Sequence, residues 1–247
     1  MKLYLIRHAQ SANNEIYSPA GNEPGRHPDP EITEAGHLQA GLLAAHLAQH
    51  DTEPRQRPFQ STSLQKYGLT HLYCSLMTRS ILTAEYIASA CDLPLQALPD
   101  NFEKYGVFEF DEAGIRQGVA GPTRAYFEER FPTLTLPDEL GEKGWWSRPA
   151  ESDQTFVQRV KKAMMDIRQQ HCGENDYVGL VVHGDFIDQC INASMDVKRS
   201  DKNYNANWEA NWVSHNTSIS RIDFINGSHN VIYLNRIDHL PTELVTR

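Results

Sequence analysis

Leu5-Ile6-Arg7-His8 closes the first apolar run of the chain, and its order of residue types decides how the rest is read. Leu3, Tyr4, Leu5 and Ile6 would form a buried strand that delivers an Arg and a His side by side at its C-terminal end. In open α/β sheets that edge is where ligands bind. Burying a cation next to an imidazole costs energy unless something anionic compensates. A phosphate would serve, and a phosphate is also what a histidine nucleophile can attack. The alternative is a strand end that merely carries two polar residues, so the weight falls on what the remaining sequence places beside them.

Composition narrows the classes. With 247 residues, 40% of them hydrophobic, the chain has enough apolar side chains for a sizeable core. That size suits one domain over residues 1–247, with an insertion at about 100–150. No window reaches the apolar length of a membrane span, and a strand begins at Lys2 with no signal peptide before it. Cys74, Cys91, Cys172 and Cys190 form neither a CxxC pair nor a spaced framework, which implies reduced thiols and a cytoplasmic location. A net charge of -9 argues against nucleic acid and anionic membrane as partners. It leaves a small anionic substrate open, because a pocket's potential is set by the few residues lining it.

Patterning along the chain then gives the architecture. A strand over Lys2–Ile6 is followed by a Gly-, Pro- and Asn-rich loop from Ser11 to about Pro30. Thr33 reads as the N-cap of a helix with Gly36 early in it and Ala40, Leu42, Leu43, Ala45 and Leu47 as its apolar face. His46 and His50 have metal-ligand spacing but no Glu of an HExxH pattern, and are read as surface residues. Asp51–Gly68 is a polar surface loop. Leu69–Cys74 reads as a strand, Arg79–Cys91 as a helix, and Leu93–Leu98 as a short strand. From Asp100 to Ala150 the rhythm breaks, as expected of an insertion packed over one end of the sheet. A helix over Asp153–Gln170, a very apolar strand over Tyr177–Val182 and a helix over Phe186–Met195 restore it. Ser218, Ser220 and Asp223 alternate with Ile219, Ile222 and Phe224, and Asn226-Gly227 signals a turn into a hairpin strand at Val231–Leu234. The expected fold is an α/β three-layer sandwich: a mainly parallel central sheet, an antiparallel edge, and the insertion over the active-site rim.

On that fold Arg7-His8, Ser75 to Arg79, His183-Gly184 and Glu103 all follow strands and meet on one rim. Guanidiniums can clamp phosphate oxygens, one imidazole can attack phosphorus, and a carboxyl can protonate the departing oxygen. The alternative for the basic residues is buried ion pairing with acidic neighbours.

The boxes Leu5-Ile6-Arg7-His8-Ala9-Gln10-Ser11 with Asn14, Pro30-Glu31-Ile32-Thr33-Glu34-Ala35-Gly36, Cys74-Ser75-Leu76-Met77-Thr78-Arg79 and Val181-Val182-His183-Gly184 resemble the signature of the histidine phosphatase superfamily, phosphoglycerate-mutase-like branch. The boxes occur in the expected order over nearly the whole chain. The resemblance implies that His8 is the nucleophile forming a phosphohistidine, and that Arg7, Arg79 and His183 bind the phosphoryl group. It implies that Asn14, with Ser11, adds hydrogen bonds, and that Glu103 is the general acid, with Glu109 and Asp111 as competitors. Two guanidiniums with a protonated imidazole would surround the phosphoryl group in place of a metal ion, so neither metal nor cofactor is expected. The leading reading is a metal-independent phosphatase for a small phosphate monoester. Phosphoglycerate mutase-type phosphoryl transfer and a non-catalytic phospho-ligand binding module are the alternatives.

Overall fold

Successive side chains of a strand point to opposite faces, and the first strand uses both faces for core. In the computed structural model, which describes residues 1–17, 24–49, 67–140, 143–173, 175–195 and 211–247, β1 (Lys2–Arg7) turns Tyr4 and Ile6 toward one helical layer and Leu3 and Leu5 toward the other. The first layer is α2 (Glu34–Leu47), which follows a single turn, α1 (Ala12–Glu15), and packs beside α3 (Thr78–Cys91). The strands β2 (His71–Cys74) and β3 (Leu95–Ala97) flank α3. The segment after β3 forms the hairpin β4 (Phe108–Phe110) and β5 (Arg116–Gly118), the helix α4 (Arg124–Arg130) and a two-residue strand β6 (Leu134–Thr135). The second layer is α5 (Asp153–Gln170) and α6 (Gly184–Ser194) around β7 (Tyr177–Val182). The hairpin β8 (Ile219–Ile225) and β9 (Ser228–Arg236) follows.

The central sheet has the order β6-β3-β2-β7-β1-β8-β9. Its first five strands are parallel, and β8 and β9 add the antiparallel edge. Because β2, β7 and β1 are neighbours running the same way, the residues that follow them emerge together on one edge. Asn226 and Gly227 both have positive φ, as a two-residue hairpin turn requires. Register shifts at Arg221 explain why the sequence alternation falters there. Arg221 is buried and forms a bidentate pair with Asp223.

Two sequence expectations change. The segment 100–150 is not only a cover over the rim, since β6 returns to pair with β3 and becomes the sheet's outer strand. His46 is half-buried, hydrogen-bonded to Tyr67 Oη and stacked on His239, rather than a surface residue. His50, and Asp51–Gly68 except for Tyr67 and Gly68, lie outside the described residues.

The start of α2 is seated directly under the loop that follows β1. A Cβ on Gly36 would stand 2.3 Å from the carbonyl oxygen of Gln10, whereas one on Gly41 would meet nothing within 4 Å. Exchanging Gly for Ala within a helix gains about 1 kcal/mol of propensity. At Gly41 that gain should appear as a small rise in Tm. At Gly36 the backbone must shift, at a cost of about 1–3 kcal/mol, which outweighs the gain. Gly36→Ala is therefore expected to lower Tm by several degrees and Gly41→Ala to raise it, as differential scanning calorimetry of the two variants would read.

Candidate active site

The tautomer of the candidate nucleophile, His8, is defined by one hydrogen bond. His8 Nδ1 lies 2.7 Å from the carbonyl oxygen of Ala9. A carbonyl only accepts, so the proton sits on Nδ1 and Nε2 keeps its lone pair. Arg79 Nε donates to that Nε2 at 3.2 Å. The backbone around the ring is fixed from three sides: His8 N donates to Val182 O at 2.9 Å, and His8 O accepts from Thr217 N at 3.3 Å and Asn216 Nδ2 at 3.1 Å. Burial, with Arg79 and Arg7 adding to it, holds the His8 imidazole well below its ordinary pKa. It is neutral and has a directed lone pair.

His183 follows β7 at the N-cap position of α6, and its ring centroid stands 5.2 Å from that of His8. Ser75 Oγ lies 2.7 Å from its Nε2. A protonated imidazole was expected here. Instead burial, then Arg79 and His8, press His183 well below its ordinary pKa. With the Ser75 hydroxyl donating to Nε2, it would contribute an Nδ1–H donor rather than a charge. That Nδ1, like Arg7 Nε, is buried without a hydrogen-bond partner among the described residues. Buried donors without partners cost free energy, and an anion bound between them would satisfy both.

The fixed positive charge comes from the two arginines. Arg7 is anchored by Nη1 on Ser214 O, and burial lowers its pKa to about 10, still cationic at neutral pH. Arg79 faces Asp29, whose Oδ1 lies 3.8 Å from Nη1 and whose two oxygens also accept from Thr78 N and Oγ1. Asn14 Oδ1 accepts from Ser11 N at 3.1 Å, Ser11 Oγ at 3.0 Å and Asn216 Nδ2 at 3.2 Å, which leaves its NH2 as the donor edge. Ser11 thus serves Asn14. Arg7, Asn14, Glu103 and Gly184 line one cavity of about 380 Å³ together with Asp185 and Arg247.

Of the three candidate carboxyls, Glu103 is the one brought to the arginines. Its Oε1 accepts from Lys104 N at 2.9 Å and its Oε2 faces Asp185 N at 3.4 Å. Burial, then the Asp185 carboxylate, raise its pKa to about 7 against the opposing pull of Arg79 and Arg7. Glu109 is exposed on β4 and lines a separate cavity of about 780 Å³ beside Asp29 and Thr78. Asp111 is exposed and closes its own turn by accepting from Ala113 N, Ile115 N and Gln117 Nε2.

The loop carrying Glu103 is braced from α5. Arg159 Nη1 donates to Asp100 O at 2.8 Å and Phe102 O at 3.0 Å, while Nε and Nη2 form a bidentate pair with Glu151 at 2.8 and 2.7 Å. Its guanidinium stacks on the Phe102 ring at 3.5 Å. Gly106, at φ +77°, lets the loop pass under the ring of Trp146. Sequence reasoning did not find the site roles of Asp29, Asn216, Glu151 or Arg159. Asp185, in the first turn of α6, also faces Glu103.

The family model of the histidine phosphatase superfamily (branch 1) matches residues 3–62 and 56–237, and the chain belongs to that superfamily. Solved structures similar to it include the alpha-ribazole phosphatase of Shigella flexneri, with 17% identity, a TM-score of 0.56 and 96% of each chain covered. The phosphoserine phosphatase of Entamoeba histolytica in complex with 3-phosphoglyceric acid is 20% identical with a TM-score of 0.56, covering 97% of this chain and 99% of that one. A mycobacterial glucosyl-3-phosphoglycerate phosphatase is 17% identical with a TM-score of 0.56, covering 95% and 98%. At these identities the likeness is one of fold. No protein of curated function matches the chain in sequence. No helix among the described residues is long and apolar enough to cross a membrane.

Proposed function

We propose that this protein is a phosphatase that transfers the phosphoryl group of a small phosphate monoester to His8 Nε2 and then to water, with no metal ion in the reaction. The observation that carries the reading is the His8 ring itself, with Nδ1–H tied to Ala9 O and the Nε2 lone pair held beside Arg79. In the first step Nε2 attacks phosphorus and the bond from phosphorus to the ester oxygen breaks. The Glu103 carboxyl delivers its proton to that oxygen, so the alcohol leaves neutral. In the second step Glu103, now a carboxylate, takes a proton from water as the water oxygen attacks phosphorus. The P–N bond breaks, and His8 and inorganic phosphate are released. Arg7 and Arg79 supply positive charge to the three equatorial oxygens, and the Asn14 NH2 and His183 Nδ1–H supply oriented donors. This preorganised set performs the charge neutralisation that a metal ion performs elsewhere.

Membership of the superfamily supports the phosphatase reading, and the named neighbours act on esters of unlike alcohols, so the fold does not choose the alcohol. The test is phosphate release from a panel of sugar phosphates, phosphoglycerates and an aryl phosphate, assayed in EDTA. Release that survives chelation is expected. Failure to release phosphate from any of them, with interconversion of 3- and 2-phosphoglycerate instead, would replace the phosphatase reading by the mutase one. Binding without either reaction would leave a phospho-ligand module.

A further inference from the structure

The edge of the sheet opposite the phosphate rim carries a second cluster that the proposed reaction does not use. His71 opens β2, His171 follows the last residue of α5, and Asp176 precedes β7. From Asp176 to His183 the chain runs the full length of β7, about 20 Å at strand rise, so the cluster and His8 sit at opposite ends of the sheet. We propose that His71, His171 and Asp176 form a binding site for one zinc-class divalent cation.

Three observations carry this. The first is distance. One ligand atom from each residue lies within 4.8 Å of the others, so some point lies within about 2.8 Å of all three. Zinc–nitrogen and zinc–oxygen bonds are about 2.0–2.2 Å, so each donor needs to close by less than about 1 Å. The second is chemistry: two imidazoles and one carboxylate are a donor set for Zn²⁺, Co²⁺ or Ni²⁺ rather than for Mg²⁺ or Ca²⁺, which take oxygen.

The third is the outer ring of hydrogen bonds, which metal-binding histidines use to fix their rings. Thr70 Oγ1 stands 2.8 Å from His71 Nδ1 and also reaches Tyr177 O at 3.3 Å. With its proton on that carbonyl, the hydroxyl accepts Nδ1–H and leaves the His71 Nε2 lone pair for an ion. Tyr73 Oη, which accepts from Gln170 Nε2 at 3.1 Å, stands 2.8 Å from His171 Nε2. An ion on His171 Nδ1 requires the ring proton on Nε2, where Tyr73 Oη stands to accept it. His171 Nδ1 faces Asp176 Oδ2 at 4.0 Å, too far for a hydrogen bond and close enough for a shared ion. Asp176 Oδ2 is itself oriented by Gly173 N at 2.9 Å. The two rings lie 4.3 Å apart at 57°, an arrangement that two imidazolium ions would resist. Three protein ligands leave a coordination position for water.

The test uses the full-length protein, stripped with a chelator, dialysed and titrated with Zn²⁺ by calorimetry and with Co²⁺ by visible absorption. One equivalent is expected to bind, with a Co²⁺ spectrum lacking a thiolate charge-transfer band. At a hundredfold excess over Kd, Tm should rise by about 5 °C or more. His71→Ala and Asp176→Asn should each weaken binding at least tenfold while phosphate release stays within twofold of wild type. These two positions are half-buried, whereas His171 is packed against Tyr73 and its loss threatens the fold. No binding by the wild-type chain would overturn the proposal, as would unchanged affinity in both variants. A thiolate band lost in Cys172→Ser would assign the ion to that exposed thiol instead and overturn it equally.

Discussion

His8→Ala should abolish phosphate release, by about 10⁴-fold or more, while the protein stays folded. The size follows from what is removed. Without Nε2 there is no covalent acceptor, and attack by water would have to occur in a pocket arranged around an imidazole; losing a nucleophile of this kind typically removes most of the catalytic gain. The fold should tolerate the change because the contacts of residue 8 that hold the strand end are backbone ones, to Val182, Thr217 and Asn216. Removing a neutral ring from between two guanidiniums also leaves no carboxylate unpaired. Wild-type enzyme quenched during turnover should carry a phosphoramidate label that is stable to alkali and labile to acid, and His8→Ala should carry none. Turnover of the variant within tenfold of wild type, or a label on another residue, would remove His8 from the mechanism.

How far the sequence alone reaches can be seen residue by residue. His8 and His183 were legible because each directly follows an apolar strand, and Arg79, at the start of α3, because its box resembles the family signature; parallel pairing does the rest. The hairpin at Asn226-Gly227 was legible as well, since positive φ at two successive residues selects those residue types. β6 was not, because two residues carry no periodicity, and Leu134 and Thr135 become a strand only when β3 presents its edge. Asp29, which faces Arg79, and Asn216, which holds His8 O, were hidden because their contacts span 49 residues to Thr78 and 208 to His8. Nothing local marks them. Arg159 was hidden differently. It sits on a helix where an exposed Arg is unremarkable, and only the buried Glu151 and the carbonyls of Asp100 and Phe102 give it a task. The neutral state of His183 was not readable either, since it depends on burial and on Arg79 more than on residue type.

Glu103→Gln is the variant that separates the two proposed steps. A Gln keeps the shape and can still accept from Lys104 N, but it has no proton to give. For alkyl phosphates, whose alkoxide leaves poorly, kcat/KM should fall by about 10²–10³-fold, within the range general acids supply. For an aryl phosphate, whose phenoxide leaves without help, kcat/KM should fall by less than about tenfold. This ratio reports only events up to transfer onto His8. Hydrolysis of the phosphohistidine is common to all substrates and needs Glu103 as base, so kcat for the aryl ester should become limited by that step and show a burst of phenol. The pH profile adds a second sign. Because the Glu103 pKa is raised to about 7, the protonated acid persists up to neutrality and is lost above it. Wild-type kcat/KM for alkyl esters should therefore fall about tenfold per pH unit above about pH 7, and Glu103→Gln should lack that limb. Neutral His8 sets no competing limb near pH 7, since burial and the two arginines keep its pKa well below the usual imidazole value. Equal losses of kcat/KM for alkyl and aryl esters, with the alkaline limb intact in the variant, would show that another group protonates the leaving oxygen. Glu109 and Asp111, exposed on the β4–β5 hairpin, would then have to reach the site by a movement of that hairpin.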